Sequence, residues 1–318
     1  MQKANPRYRT VLNKATEVLQ MDWQEQLISV YLTICKEYQG KLQGYIYRTS
    51  NHSDLSFSDE EAITIYIFGI ISGHFKLKSI YNYTRNHLRD WFPCLPGYVG
   101  FTLRINKISH LFEILVSSFI KDIQASTAQE LPVLIDSMPI IMAQGGRRFK
   151  ACVAKEIASN NGYCATKKLH YAGVKLHGLG KYAKGSLPLP MCLDITDAGT
   201  GDIKVLDAIE QYLPKGTNLF ADKAYQRNNK PVCVKNNVTI YTPVKKQKGQ
   251  ERLDAADSLL SKAISSVRQP IESLFNWIEE KTKIQMASKV RSYEGLMVHI
   301  FGKLASALFL FIAKPVYS

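Results

Sequence analysis

The sequence predicts a mixed α/β domain, a sheet with flanking helices, preceded by an all-helical N-terminal domain. Three observations lead to this prediction. The 318 residues are enough for two ordinary domains. Up to about residue 125 apolar residues recur at helical spacing, and from about residue 131 short strand-like runs alternate with amphipathic helices. We therefore place the domains at residues 1–125 and 126–318.

The N-terminal domain contains three segments whose apolar residues are spaced as on one face of a helix. These segments are Glu25–Tyr38, Asp59–Ile71 and Ile105–Ile120. The second segment has the clearest start, because Ser58 is a favourable N-cap and the acidic residues after it suit the positive end of a helix.

A basic helix is predicted directly after Asp59–Ile71. Gly73 and His74 interrupt the first pattern, and Lys76–Leu88 resumes it with basic and aromatic residues. The pair is compatible with a helix-turn-helix that contacts DNA, although many ordinary helical hairpins have the same pattern. We expect this domain to serve in DNA binding or dimerisation.

The second domain is predicted to contain five strands. The first is an apolar run that stops at Asp136, and the next two alternate between apolar and polar residues. Amphipathic helices separate the later strands, which favours a sheet covered by helices. The predicted strands are Leu131–Ile135, Leu169–His177, Leu189–Thr196, Asn218–Asp222 and Val238–Thr242, with a helix at Asp202–Leu213.

Two helical segments end the chain. Leu259–Ile284 is the longer, and Pro270 interrupts or restarts it. Leu296–Ala313 is apolar, but it includes His299 and Lys303 and is at the short end of the roughly 20 residues that a bilayer requires. We predict a buried terminal helix rather than a membrane span.

The charge balance indicates a polyanionic partner. Lys and Arg number 41 against 27 Asp and Glu, which gives a formal net charge of +14, and nucleic acid is the first candidate. The cysteines lack zinc-knuckle spacing, so structural zinc is not expected, and the polar N-terminus lacks a signal peptide. We expect reduced thiols and a cytoplasmic, nucleoid-associated protein. The six cysteines are Cys35, Cys94, Cys152, Cys164, Cys192 and Cys233.

Acidic residues at strand ends are the candidate catalytic groups. Asp136 and Asp222 each follow an apolar strand, where packing explains a charge poorly. Glu272 lies on the flank of an apolar helical stripe, one turn after Arg268. Glu279 shares that flank about 10 Å further along the axis, so the helical pattern does not choose between them. Glu280 is a further competitor. Scattered carboxylates of this kind can hold the two divalent ions that phosphodiester chemistry uses.

Six segments together resemble, in order, the landmarks of bacterial insertion-sequence transposases with a ribonuclease H-like catalytic domain. The likeness extends from about residue 57 to residue 310, and the order of the segments is more specific than any one of them. The segments are Phe57–Gly69, Trp91–Phe101, Leu134–Pro139, Gly173–His177, Phe220–Tyr225 and Arg268–Phe275.

The resemblance implies a DDE triad of Asp136, Asp222 and Glu272 that binds two Mg²⁺ or Mn²⁺ ions. It also implies that the first and fourth predicted strands are neighbours, which would bring Asp136 and Asp222 together. The chain departs from the family pattern at two positions. Ser265 stands where a tyrosine is expected and Glu279 where a lysine is expected. Lys281 or Lys283 are the candidates to replace that lysine.

Further residues are candidates for DNA contact. Three basic clusters flank the proposed site in sequence. A single basic run is usually a solvated face, but three runs within one predicted domain fit a phosphate-tracking surface better. Tyr225 could stack on a base or pack in the core. The candidates are Arg147, Arg148, Lys150, Lys167, Lys168, Lys175, His177, Tyr225, Lys245, Lys246, Lys248 and Arg268.

The function implied by the resemblance is DNA transposition. The protein would cleave DNA at the terminal inverted repeats of its element and join the 3′-hydroxyl to target DNA, and two element ends suggest a homodimer. The alternative is a catalytically inactive or repurposed transposase that only binds DNA. A ribonuclease H-like nuclease without strand transfer is a third hypothesis.

Overall fold

The structure is a computed structural model that describes residues 22–46, 55–125, 131–209, 212–226 and 237–313. The chain divides into two compact units. Residues 124–277 form one unit, called here the sheet unit, and residues 5–123 together with 278–318 form the other, called the helical unit. Within the described residues the chain passes between the units twice, at residues 123/124 and 277/278, and each of these boundaries falls within a helix.

Five α-helices come first among the described residues of the helical unit, and local sequence explains the start of the second. Ser58 caps the second through a capping box, because its hydroxyl accepts from the Glu61 N–H and the Glu61 carboxylate accepts from the Ser58 N–H. That predicted start is confirmed. The helices are α1 (Trp23–Gly40), α2 (Asp59–Ile71), α3 (Leu77–His87), α4 (Tyr98–Lys107) and α5 (Ser109–Ala125).

The C-terminal helices belong to the helical unit rather than to the sheet. They are α9 (Tyr293–Met297), a π-helical turn (Val298–Gly302) and α10 (Lys303–Ile312). The Tyr66 hydroxyl of α2 donates to the Val298 carbonyl at 3.0 Å, and a Cβ on Gly302 would come within 2.5 Å of the Tyr66 ring. The sequence division had placed these helices with the sheet. Their apolar residues are buried among the other helices instead.

The terminal apolar segment is buried. The stretch Tyr293–Ile312 is long and apolar enough to cross a membrane, but 83% of it lies inside the structure, as in the core helix of a globular fold. Of the cysteines, the five within the described residues are free thiols. Cys233 lies outside the described residues.

The sheet unit contains a six-stranded mixed sheet. Strand β1 lies between β3, to which it is antiparallel, and β5, to which it is parallel. Strand β6 continues the parallel side, while β2 and β4 both pair with β3. The strands are β1 (Val133–Gln144), β2 (Asn161–Cys164), β3 (Leu169–Lys181), β4 (Leu189–Asp197), β5 (Asn218–Phe220) and β6 (Thr239–Tyr241).

The topology confirms the predicted fold class. Apart from the short β2, which the sequence did not predict, three antiparallel strands are followed by two parallel ones, the arrangement of a ribonuclease H-like sheet. Helix α6 (Asp202–Ile209) covers one face, where Val205, Leu206 and Ile209 pack against Val133 and Ile135 of β1. Alternate residues of β1 therefore point to the opposite face.

Helices α7 (Ala255–Arg268) and α8 (Pro270–Thr282) follow β6. They correspond to the predicted long helical segment, and the predicted interruption at Pro270 is confirmed. Ile271, Leu274 and Phe275 of the predicted apolar stripe are buried. In the sheet unit Ile271 and Phe275 lie against the glycines of β3.

Candidate active site

Two acidic residues lie at the same level of the sheet, one on β1 and the other directly after the neighbouring parallel strand β5. The register pairs Leu134 of β1 with Phe220 of β5, and Asp136 and Asp222 each follow two residues later. Adjacent strands are about 4.8 Å apart, so the two carboxylates converge on one region. The predicted adjacency of the first and fourth predicted strands is confirmed.

The strand that carries Asp136 is longer than the sequence indicated. Strand β1 was expected to stop at Asp136, but it runs on to Gln144 and pairs with β3 along that whole length. The expectation was wrong because a carboxylate and Pro139 interrupt an apolar pattern that resumes with the buried Met138 and Ile140. Asp136 therefore sits inside a paired strand, whereas Asp222 does follow the end of β5.

Arg268 links the acidic residues. Its guanidinium donates to Asp136 Oδ2 at 2.9 Å and makes a short contact with Glu272 Oε1, four residues later. Burial would lower the pKa of Arg268, but Asp136, Glu272 and Asp222 together raise it. Arg268 is therefore a fixed positive charge among three carboxylates.

Asp136 is electrostatically the most perturbed of the three. Burial raises the pKa of its carboxyl to about 6, although Arg268 and the Ser137 N–H, which donates at 2.8 Å, act in the opposite direction. The nearby charges of Glu272 and Asp222 raise it further. A cation at this point would relieve that repulsion.

Two glycines of β3 let the helix with Glu272 lie close to the sheet. Gly178 is paired with Asp136, and a Cβ built on it would come within 2.8 Å of the Phe275 ring. A Cβ on Gly180 would come within 3.3 Å of Ile271. Sequence reasoning missed both residues, although two glycines at alternate positions of one strand face the same side and could have signalled a close helix.

The competing acids have other partners. Glu279 accepts from the Gln285 N–H at 2.8 Å, and it belongs to the helical unit. Glu280 pairs with Lys281 at 3.1 Å. Lys283 is exposed and has a positive φ of 52°. Of the acids on this helix, Glu272 is the one that shares Arg268 with Asp136.

The side chains of Lys175 and His177 are occupied inside the fold. The Lys175 ammonium donates to Asp202 Oδ1 at 3.1 Å and to the Thr200 carbonyl at 2.9 Å. His177 is 1% exposed, its Nε2 lies 2.8 Å from the Thr196 hydroxyl, and burial lowers its pKa to about 4. The expected contact of His177 with DNA is therefore wrong for this conformation, because a neutral, buried ring offers no charge to a phosphate.

Tyr225 is also buried. Its ring is 2% exposed and packs with Leu206, Ile209 and Leu219 between α6 and the sheet. Stacking on a base was the wrong alternative, and core packing is the observed one. Asp222 lies three residues earlier in the chain, so this buried ring anchors the segment that follows it.

The three basic clusters lie in connecting segments of the sheet unit. Arg147, Arg148 and Lys150 are in a 3₁₀ helix (Gly145–Lys150) after β1, and Lys167 and Lys168 are in the turn between β2 and β3. The third cluster follows β6, and Lys246 there donates to the Glu251 carbonyl at 2.7 Å. Apart from the half-exposed Arg148, these basic side chains are exposed, as are Lys245 and Lys248.

The chain matches a model of a known protein family. The family model described as transposase DDE domain matches residues 128–310, which is more than half of the chain. No curated protein and no solved structure matches the chain.

Proposed function

Since the chain belongs to the DDE transposase family, we propose that it cleaves a DNA strand at the ends of an insertion sequence and joins the freed 3′-hydroxyl to target DNA. One observation carries the proposal. Asp136 on β1 lies level with Asp222, which follows the neighbouring strand β5, and Arg268 contacts both Asp136 and Glu272. Those three acids are the proposed catalytic residues.

The chemistry of the donors fits divalent metal ions. Carboxylate oxygens are the ligands that Mg²⁺ and Mn²⁺ prefer, and the pKa of Asp136 is raised mainly by burial and further by the charges of Glu272 and Asp222. Within the described parts of the chain, no three Asp, Glu, His or Cys side chains are close enough to hold an ion as they stand. The guanidinium of Arg268 supplies a positive charge to Asp136 and Glu272. Ion binding would therefore require Arg268 to release one of these carboxylates.

Two ions would be held by Asp136, Asp222 and Glu272. When bound, they would activate the water or 3′-hydroxyl and neutralise charge on the leaving oxygen. Arg268 acts as a positioning residue that keeps Asp136 and Glu272 together before DNA arrives. Once released, its guanidinium can pair with a phosphate oxygen of the DNA.

We assign DNA recognition to the helical N-terminal domain, residues 1–125, and catalysis to residues 126–318. The close approach of Ile80 to Gly69 and the positive φ of 86° at Gly73 in the connecting turn support a helix-turn-helix of α2 and α3. Lys78 and Arg85 lie on the exposed side of α3, where a recognition helix would meet DNA. A homodimer would bind the inverted repeats at the two ends of the element.

A DNA-binding protein without catalytic activity is the second candidate. The departures from the family pattern favour it, since Glu279 replaces the expected lysine and Lys281 is paired with Glu280. Such a protein would occupy the repeats and leave the DNA uncut. A nuclease without strand transfer would cut the DNA and yield no joined product.

The test is a nicking and joining assay on duplexes taken from the DNA that flanks the gene, with Mg²⁺ or Mn²⁺. Asp222→Asn should abolish both products and leave DNA affinity unchanged, while Glu251→Gln, an exposed acid of the same unit, should behave as wild type. Metal-dependent cleavage that survives Asp222→Asn contradicts the proposed site. A wild-type protein that binds these duplexes without nicking them supports the second candidate.

A further inference from the structure

One end of the sheet carries exposed aromatic rings among basic side chains. It consists of the hairpin formed by β2 and the start of β3, residues 161–172, and of the adjoining segment Gly145–Lys150, and is called here the hairpin surface. The register pairs Gln144 with Tyr171, so the segment that follows Gln144 starts beside the hairpin.

The rings on this surface form flat, accessible platforms. Tyr163 and His170 are directly paired across the strands, and their ring centroids are 4.7 Å apart. Tyr163 is 52% exposed and Phe149 is 71% exposed, with the Arg148 guanidinium 4.2 Å from the Phe149 ring centre. Exposure of this degree leaves ring faces open to a stacking partner.

The hairpin is anchored from its other face. Tyr171 is 1% exposed and packs on Ile141 and Ala198. A Cβ on Gly162 would come within 2.5 Å of the Ala198 carbonyl, so the hairpin lies directly on that segment. Asp197 accepts from the backbone N–H groups of Ser159 and Asn160 and fixes the entry to β2. The outward rings therefore sit on a firm support.

The charge of the surface has one sign. Neither of its two segments contains an acidic residue, and together they contain five basic residues, of which Arg148 lies over the Phe149 ring. Basic side chains between aromatic rings match a nucleic-acid strand, whose phosphates pair with cations while its bases stack on rings. The basic residues are Arg147, Arg148, Lys150, Lys167 and Lys168.

We propose that the hairpin surface binds DNA at unpaired bases, which stack on Tyr163, His170 and Phe149. Bases within a duplex already stack on each other, so open ring faces select unpaired nucleotides. The proposal rests on the proposed function only in taking DNA as the substrate.

The surface lies at a defined distance from the acidic residues. Gly178 is paired with Asp136, and Tyr171 comes seven residues earlier on the same strand. That separation is about 23 Å along the strand, the span of about seven stacked nucleotides. The unpaired bases would thus be held roughly seven nucleotides from the cleaved bond.

The test measures binding by fluorescence anisotropy of the full-length protein in EDTA. The probes are an oligo(dT) strand and a blunt duplex, each of about 20 nucleotides per strand. Tyr163→Ala should weaken oligo(dT) binding about fivefold or more and should affect duplex binding less, whereas Tyr163→Phe should retain affinity. Tyr212→Ala is the matched control, because Tyr212 is 53% exposed elsewhere in the same unit.

Two results would overturn the proposal. Tyr163→Ala could bind oligo(dT) as tightly as wild type, or the variant could change only the oligomeric state in sedimentation, which would make the surface a protein interface. Since no metal is present and no bond is cut, the result does not depend on the DDE triad. Failure of the catalytic proposal would appear in the nicking assay instead.

Discussion

Replacing Glu272 by alanine should reduce DNA cleavage, whereas replacing Glu279 by alanine should reduce the stability of the fold. Both acids lie on α8 and shared one flank in the sequence pattern. In the structure Glu272 shares Arg268 with Asp136, whereas Glu279 accepts a backbone hydrogen bond in the helical unit. The two substitutions therefore remove different kinds of interaction.

The expected magnitudes follow from these contacts. The Glu272 side chain is 48% exposed, so losing its ion pair should cost no more than about 1 kcal/mol of unfolding free energy. Glu279 bonds the Gln285 N–H at 2.8 Å and faces the charge of the buried Lys303, so its removal should cost about 2 kcal/mol. Cleavage should fall about 100-fold or more for Glu272→Ala and stay near wild type for Glu279→Ala.

The assays are nicked product per unit time in Mg²⁺ and urea unfolding of each protein. The reasoning would be refuted if Glu272→Ala cleaved DNA at the wild-type rate and Glu279→Ala did not cleave it at a temperature where that variant remains folded. The third carboxylate would then be Glu279, and the contact between Arg268 and Glu272 would be only an ion pair along the helix.

Two further predictions concern packing and pH. Gly178→Ala should push Phe275 and its helix away from the sheet. The free energy of unfolding in urea should fall by about 1–3 kcal/mol, and cleavage should decrease. Unchanged cleavage would show that the close approach is not needed. Burial lowers the pKa of His299 to about 3 and that of Lys303 to about 7. Because the unfolded chain binds more protons, the urea midpoint should rise with pH over the windows 3 to 6.5 and 7 to 10.5. Lys303→Met should flatten the alkaline part, and a wild-type midpoint independent of pH would contradict this.

Much of the fold could be predicted because its causes are local. The capping box at Ser58, the alternation along β3 and β4 and the interruption at Pro270 each depend on a few neighbouring residues. The candidate site was harder to predict from the sequence. Asp136 and Asp222 are 86 residues apart in sequence, and only the register of β1 with β5 brings them level. The triad itself stays a prediction.

The sequence by itself determined the α/β class, the helices between residues 23 and 125 and the acidic residue at the end of β5. Only the tertiary structure decided that His177 and Tyr225 are buried, that the last helices pack in the helical unit and that Glu272 shares Arg268 with Asp136. The physical reason is that a residue pattern shows which face of an element is apolar. It does not show which distant element covers that face, and here the small glycines of β3 admit the helix that carries Glu272.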